Sequence, residues 1–178
     1  MQYAAPDALD RARRLKLMIF DVDGVLTDGN LWFGPSGEEL KAFHSFDGQG
    51  IKMLAASGVQ LALLSGRSSP AVTARANELG IDHVLHGLEE KQPAYDRLLK
   101  RLGLSPQAAG YMADDVVDLP VLTRCGFAAA PGEAPEEVRK RVQYVTASPA
   151  GRGAAREVCE FVMRAQGTLD RVLERYLK

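Results

Sequence analysis

Lys16-Leu17-Met18-Ile19-Phe20-Asp21-Val22-Asp23-Gly24-Val25-Leu26-Thr27-Asp28-Gly29 is the stretch from which the fold can be read. Its first half is an apolar run of strand length, and it stops abruptly at two carboxylates spaced two apart. In an open α/β sheet, ligands bind at the carboxyl ends of strands. Two acids in such a place repel each other and resist ionisation. A divalent cation removes that cost, and aspartates at i and i+2 around a tight turn can both reach one ion. Gly24 lets the backbone turn where a side chain would crowd the site. A lone Asp-x-Asp is more often just a solvated turn, so the assignment depends on the rest of the chain.

Working outward, strand-like and helix-like segments alternate. Strands are expected at residues 59–64, 81–85, 109–113, 127–130 and 144–146, with helices between them at 51–57, 70–79, 91–102, 119–124 and 135–142. Gly80 and Gly103 follow apolar-periodic stretches where helix C-caps belong. The N-terminal residues 1–14 read as a short helix. This alternation predicts an α/β fold with a doubly wound, Rossmann-like, mainly parallel sheet. Between the first strand and the next helix, Gly34-Pro35-Ser36-Gly37 separates Leu31-Trp32-Phe33 from Glu38-Glu39-Leu40-Lys41-Ala42-Phe43, which predicts a protruding β-hairpin at about 29–46. No second-domain boundary is seen. The chain reads as one domain over 1–178, ending in a helix and tail at about 154–178.

Composition narrows the function. The 178 residues carry a net charge of −1, with 25% charged and 46% hydrophobic residues, so no nucleic-acid or membrane partner is expected. No apolar stretch approaches the roughly 18 residues of a membrane span, and no signal segment opens the chain, so a cytoplasmic location is expected. Cys125 and Cys159 read as reduced structural residues.

Four polar clusters fall at strand ends or helix starts: Asp21/Asp23, Ser65-Gly66-Arg67, Lys91 and Asp114/Asp115. Singly, each has an ordinary reading: a turn, a solvated lysine, an N-cap pair. Together they suit phosphoryl transfer through an aspartyl-phosphate. Asp21 would be the nucleophile. Asp23 would protonate the leaving alcohol and then activate water. Asp114 and Asp21 would hold Mg²⁺, which takes hard oxygen ligands. Ser65 and Lys91 would bind the phosphoryl oxygens, and Lys91 would also keep Asp21 ionised.

These segments resemble the four motifs of the haloacid dehalogenase superfamily of phosphatases. Gly37-Glu38-Glu39-Leu40-Lys41-Ala42-Phe43, Asp47-Gly48-Gln49-Gly50-Ile51-Lys52 and Gly151-Arg152-Gly153-Ala154-Ala155-Arg156-Glu157-Val158-Cys159 narrow the likeness. They resemble the small capless group that hydrolyses 3-deoxy-D-manno-octulosonate 8-phosphate in lipopolysaccharide-precursor synthesis. The resemblance implies Mg²⁺ held by Asp21, the Asp23 backbone carbonyl and Asp114. It implies substrate contacts from Asp23, Lys52, Arg67, Arg75, Lys91, Asp115 and a loop of His44, Ser45, Phe46, Asp47 and Gly48. An arginine pair, Arg67 with Arg75, suits the carboxylate of a sugar-acid phosphate. The resemblance also implies a homotetramer whose hairpins pair and close neighbouring sites, with a C-terminal tail able to reach an adjacent subunit. Leu31-Trp32-Phe33 fits that interface, although Trp32 folded back on its own core is an equal expectation.

Two positions depart from the group's pattern: Ala113 stands where glycine is usual, and Phe46 where a polar residue is common. Alanine is expected to be tolerated if φ there is negative. A nine-carbon ulosonic acid 9-phosphate is the alternative substrate, against which Arg67 argues. An inactive metal-binding regulatory scaffold is the alternative of another class, against which the intact Asp21, Asp23, Lys91 and Asp114 argue.

Overall fold

The computed structural model describes residues 3–177. Strand β1 (Tyr3–Ala4) and helix α1 (Ala8–Arg13) precede β2 (Leu17–Phe20), the apolar run ahead of Asp21. A hairpin of β3 (Trp32–Phe33) and β4 (Glu39–Leu40) leads into α2 (Ser45–Ala56), β5 (Gln60–Leu64), α3 (Pro70–Leu79), β6 (His83–Leu85) and α4 (Lys91–Leu102). Then come β7 (Ala109–Met112), α5 (Leu119–Leu122), β8 (Phe127–Ala130), α6 (Glu136–Arg139), β9 (Tyr144–Val145), α7 (Ala154–Ala165) and α8 (Leu169–Leu173).

The main sheet runs in the order β1-β9-β8-β7-β2-β5-β6. Every pairing is parallel except β1 with β9. Alternation along β2 shows how the sheet is buried on both faces. Met18 and Phe20 join a core with α1, α2, α7 and α8, while Leu17 and Ile19 join one with α4, α5 and α6. From β2 the chain winds outward through β5 and β6, then returns to β7, on the other side of β2. That reversal creates a switch point at the carboxyl end of β2, the place where such sheets bind ligands. The expected doubly wound sheet is present. Nothing larger than the hairpin is inserted between β2 and α2, and no helix among the described residues is long and apolar enough to cross a membrane.

Three local expectations need correction. The N-terminal segment contains an edge strand as well as a helix, because β9 offers Tyr3 and Ala4 an antiparallel partner that no local pattern announces. The residues His44 to Gly48 are not a loop. His44 caps α2 by accepting the Phe46 amide on Nδ1 at 3.1 Å, so Ser45–Gly48 form the first helical turn. Gly48 and Gly50 look like helix breakers but serve close approach. A Cβ on Gly48 would overlap the Arg75 guanidinium, and one on Gly50 would lie 2.8 Å from the Arg156 backbone on α7. Finally, Trp32 does not fold back. It is 59% exposed and Phe33 60%, at the tip of a hairpin with strands only two residues long.

Candidate active site

Three adjacent strands end side by side, and the residues that follow them meet in one cleft of about 240 Å³. Asp21 and Asp23 come from β2, Ser65 and Arg67 from β5, Asp114 and Asp115 from β7, and Lys91 from the first turn of α4. Buried apolar strands fix the backbone, so these side chains emerge from a rigid edge.

Lys91 is almost wholly buried and lies between two carboxylates. Its Nζ is 2.8 Å from Asp21 Oδ2 and 2.7 Å from Asp118 Oδ1. Tyr111, buried in β7, donates its hydroxyl proton to Asp118 Oδ1 at 2.5 Å and accepts from Lys91 Nζ at 3.3 Å. The second Asp21 oxygen accepts the Val22 amide at 2.7 Å. Ser65 is buried, and its Oγ accepts the Arg67 amide at 3.3 Å.

Asp118 is a member of this site that sequence reasoning missed. Standing just before Leu119-Pro120, it reads as a helix cap, and only its spacing of four from Asp114 hints otherwise. The adjacent Asp115 does act as a cap, accepting the Val116 amide at 2.7 Å.

Burial pushes the Asp21 carboxyl up to about 7; Lys91 opposes that rise and Asp118 adds to it. Lys91 therefore pulls toward the ionised form, as expected, but does not prevail alone. Burial, then repulsion from Asp118 and Asp115, lifts Asp114 to about 6. For Lys91, burial disfavours the charge, yet Asp21 and Asp118 outweigh it and hold the ammonium above its ordinary value. One buried lysine thus faces three carboxylates.

The donor set fits a divalent cation. Asp21, Asp114 and Asp118 each offer an oxygen within 4.8 Å of the others, and Asp118 Oδ2 is buried without a hydrogen-bond partner. Hard oxygens converging with surplus negative charge suit Mg²⁺. Gly24, at φ 74°, makes this convergence possible, since a Cβ there would overlap the Asp114 carboxylate. Ala113 is buried, and among the described residues no non-glycine residue has positive φ, so the backbone condition set for alanine at this position is met.

At the other lip of the cleft, Asp23 pairs with Lys41, which also lies 2.5 Å from Glu39 Oε1. The other Glu39 oxygen takes Arg67, at 2.8 Å from Nη2 and 2.9 Å from Nε. Glu39 and Lys41 carry the family resemblance, but their place beside Asp23 is not evident from sequence.

The remaining expected substrate residues do not line this cleft within the chain. His44, Asp47, Gly48 and Arg75 border a separate small depression between α2 and α3. Arg75 donates to the His44 carbonyl at 3.3 Å and pairs with Glu78 at 2.7 Å, so Arg67 and Arg75 do not converge as a pair. Asp47 is buried and turned away. Its oxygens accept the Gly153 amide at 3.0 Å and the Arg156 amide at 2.9 Å, which caps α7. Its side chain is thus engaged within the chain and does not line the cleft. Ser45, Phe46 and Lys52 are exposed on α2.

No protein-family model matches the chain. Whole-length likenesses are nevertheless close. Over 166 residues the chain is 41% identical to the 3-deoxy-D-manno-octulosonate 8-phosphate phosphatase KdsC of Yersinia pestis, covering 93% of this chain and 89% of that one. A solved structure of a probable YrbI-family phosphatase from Pseudomonas syringae matches with a TM-score of 0.95 at 45% identity, covering 98% and 99% of the two chains. That of the Moraxella catarrhalis 3-deoxy-D-manno-octulosonate 8-phosphate phosphatase, in complex with magnesium, phosphate and KDO, matches with a TM-score of 0.93 at 38% identity, covering 96% and 98%.

Proposed function

Because the chain belongs to the 3-deoxy-D-manno-octulosonate 8-phosphate phosphatases of the haloacid dehalogenase superfamily, we propose that it hydrolyses that sugar-acid phosphate to the free acid and phosphate. The observation that carries this reading is the contact of Lys91 with Asp21 at the end of β2, inside a cluster of carboxylates built for a cation.

In this reading an Asp21 oxygen attacks phosphorus while the bond from phosphorus to the sugar oxygen breaks. Asp23 gives its proton to the departing alkoxide. Water then attacks the phosphorus of the aspartyl-phosphate, Asp23 takes a proton from it, and Asp21 leaves as a carboxylate. Ser65 and Lys91 hold the phosphoryl oxygens as charge moves between them. Asp21, Asp114 and the Asp23 carbonyl would ligate Mg²⁺, with Asp118 beside them. Bound there, the ion supplies charge neutralisation between two anions that must meet.

The substrate set we propose includes Arg67, Asp115 and the α2–α3 group, with His44, Lys52 and Arg75 reaching the sugar acid of a neighbouring subunit. Two features support a homotetramer: the exposed apolar hairpin and the distance of that group from the cleft of its own chain. We place the reaction in the cytoplasm, in lipopolysaccharide-precursor synthesis.

The test is phosphate release from the eight-carbon 8-phosphate and from a nine-carbon ulosonate 9-phosphate, with Mg²⁺ and with chelator. A preference of about tenfold or more in kcat/KM for the eight-carbon compound, lost with chelator, is expected. Preference for the nine-carbon compound overturns the substrate. Asp21→Asn retaining near wild-type turnover overturns the nucleophile.

A further inference from the structure

Strand β4 and the residue after it alternate in a way that gives the hairpin two different faces. Leu40 stands outward, opposite Trp32 in the cross-strand register, and is 55% exposed. Glu39 and Lys41, its neighbours on either side, turn the other way. The Lys41 side chain is only 1% exposed, although the hairpin that carries it is largely open to solvent. An ammonium is not buried without compensation, and here the compensation is specific: the Asp23 carboxylate on one side and Glu39 on the other. Among the described residues Lys41 is the sole hydrogen-bond and ion-pair partner of the Asp23 carboxylate. The hydrogen bond is made to Oδ1, and the Asp23 residue lines the cleft. Lys41 itself does not line the cleft where phosphate would sit.

We propose that Lys41 is a positioning residue for Asp23, holding one oxygen so that the other is aimed for proton transfer. Glu39 in turn holds Lys41 and ties this arrangement to Arg67, which follows β5. The role rests on the phosphatase reading above and deepens it, because the acid–base group is then fixed by the insert and not by the sheet. General acid–base transfer is worth roughly 10²–10⁴-fold and is lost when the donor is misaimed. Removing Lys41 therefore has a signature that depends on whether the leaving group needs a proton.

The experiment compares Lys41→Met and Lys41→Gln with wild type on two substrates. One is an alkyl sugar phosphate, whose alkoxide must be protonated; the other is 2,4-dinitrophenyl phosphate, whose phenolate leaves unaided. With the alkyl phosphate, kcat is expected to fall about tenfold to a hundredfold with KM changed less than about threefold. The pre-steady-state burst of dinitrophenolate should keep its rate within about twofold, since forming the aspartyl-phosphate there needs no proton. Lys41→Arg, which keeps the charge, should recover most of the loss. The burst amplitude counts active sites in each preparation, so kcat is divided by it and a smaller folded fraction cancels. Equal losses on both substrates, or no loss on the alkyl phosphate, overturn the Lys41 role alone. A wild type that forms no burst and releases no phosphate overturns the phosphatase reading, and this role falls with it.

Discussion

Asp47 in the first turn of α2 and Gly153 just ahead of α7, 106 residues apart, meet at 3.0 Å, where the carboxylate accepts the amide. The same carboxylate accepts the Arg156 amide, so one side chain fastens two helices and satisfies donors that the helix itself cannot. Asp47→Ala should cost about 2 kcal/mol and lower Tm by about 4–8 °C for a chain of this size. Denaturant titration checks it, and a change below about 0.5 kcal/mol would be inconsistent with a cap of this kind.

Asp118→Asn leaves Lys91 paired with Asp21 alone and removes one charge from the carboxylate group. Metal affinity should weaken by about tenfold or more, as for other groups that support a metal's ligands. Isothermal titration with Mg²⁺ reads this directly. Unchanged affinity would limit Asp118 to the hydrogen-bonded structure around Tyr111.

Two small-residue substitutions next to the acids should behave oppositely. Gly24→Ala places a methyl group against Asp114 at a positive φ, so turnover should fall by about a hundredfold or more. Ala113→Gly restores the residue usual at that position, yet it removes a buried methyl and loosens a strand end. Its activity should stay within about twofold, with stability lower by about 1 kcal/mol. Steady-state kinetics and thermal melts on both variants provide the check.

Trp32→Glu places a charge on the exposed apolar face of the hairpin. A charge buried in the interface of the proposed tetramer would be costly, so sedimentation velocity should show a smaller species than wild type at micromolar concentrations. An assembly unchanged in size would move the interface elsewhere.

The chemistry was legible in sequence where it coincides with the ends of apolar strands. Asp21, Ser65 and Asp114 each follow a buried run, and the parallel sheet brings such ends together without further instruction. Lys91 was legible as a helix start, though its burial was not. Asp118 was hidden because a capping aspartate and a buried one look alike when Leu119-Pro120 follows. Lys41 was hidden because its burial depends on how a short hairpin leans over the cleft, which no local period records. His44 and Arg75 border a depression apart from the cleft of their own chain because helix packing, not sequence proximity, decides which depression a side chain borders. The edge strand at Tyr3–Ala4 is defined only by its partner β9.

The hairpin with Leu40 on one side and Lys41 on the other has a pharmacological consequence. A ligand that competes in the cleft must imitate a phosphate and carry its charge, which opposes passage through lipid. A ligand seated against Trp32 and Leu40 needs no charge at all. Because Lys41 directly follows that strand and faces the other way, a wedge that displaces the strand, and with it the proposed subunit contact, would also withdraw the partner of Asp23 and so, on the proposed role of Lys41, silence the centre without carrying a charge.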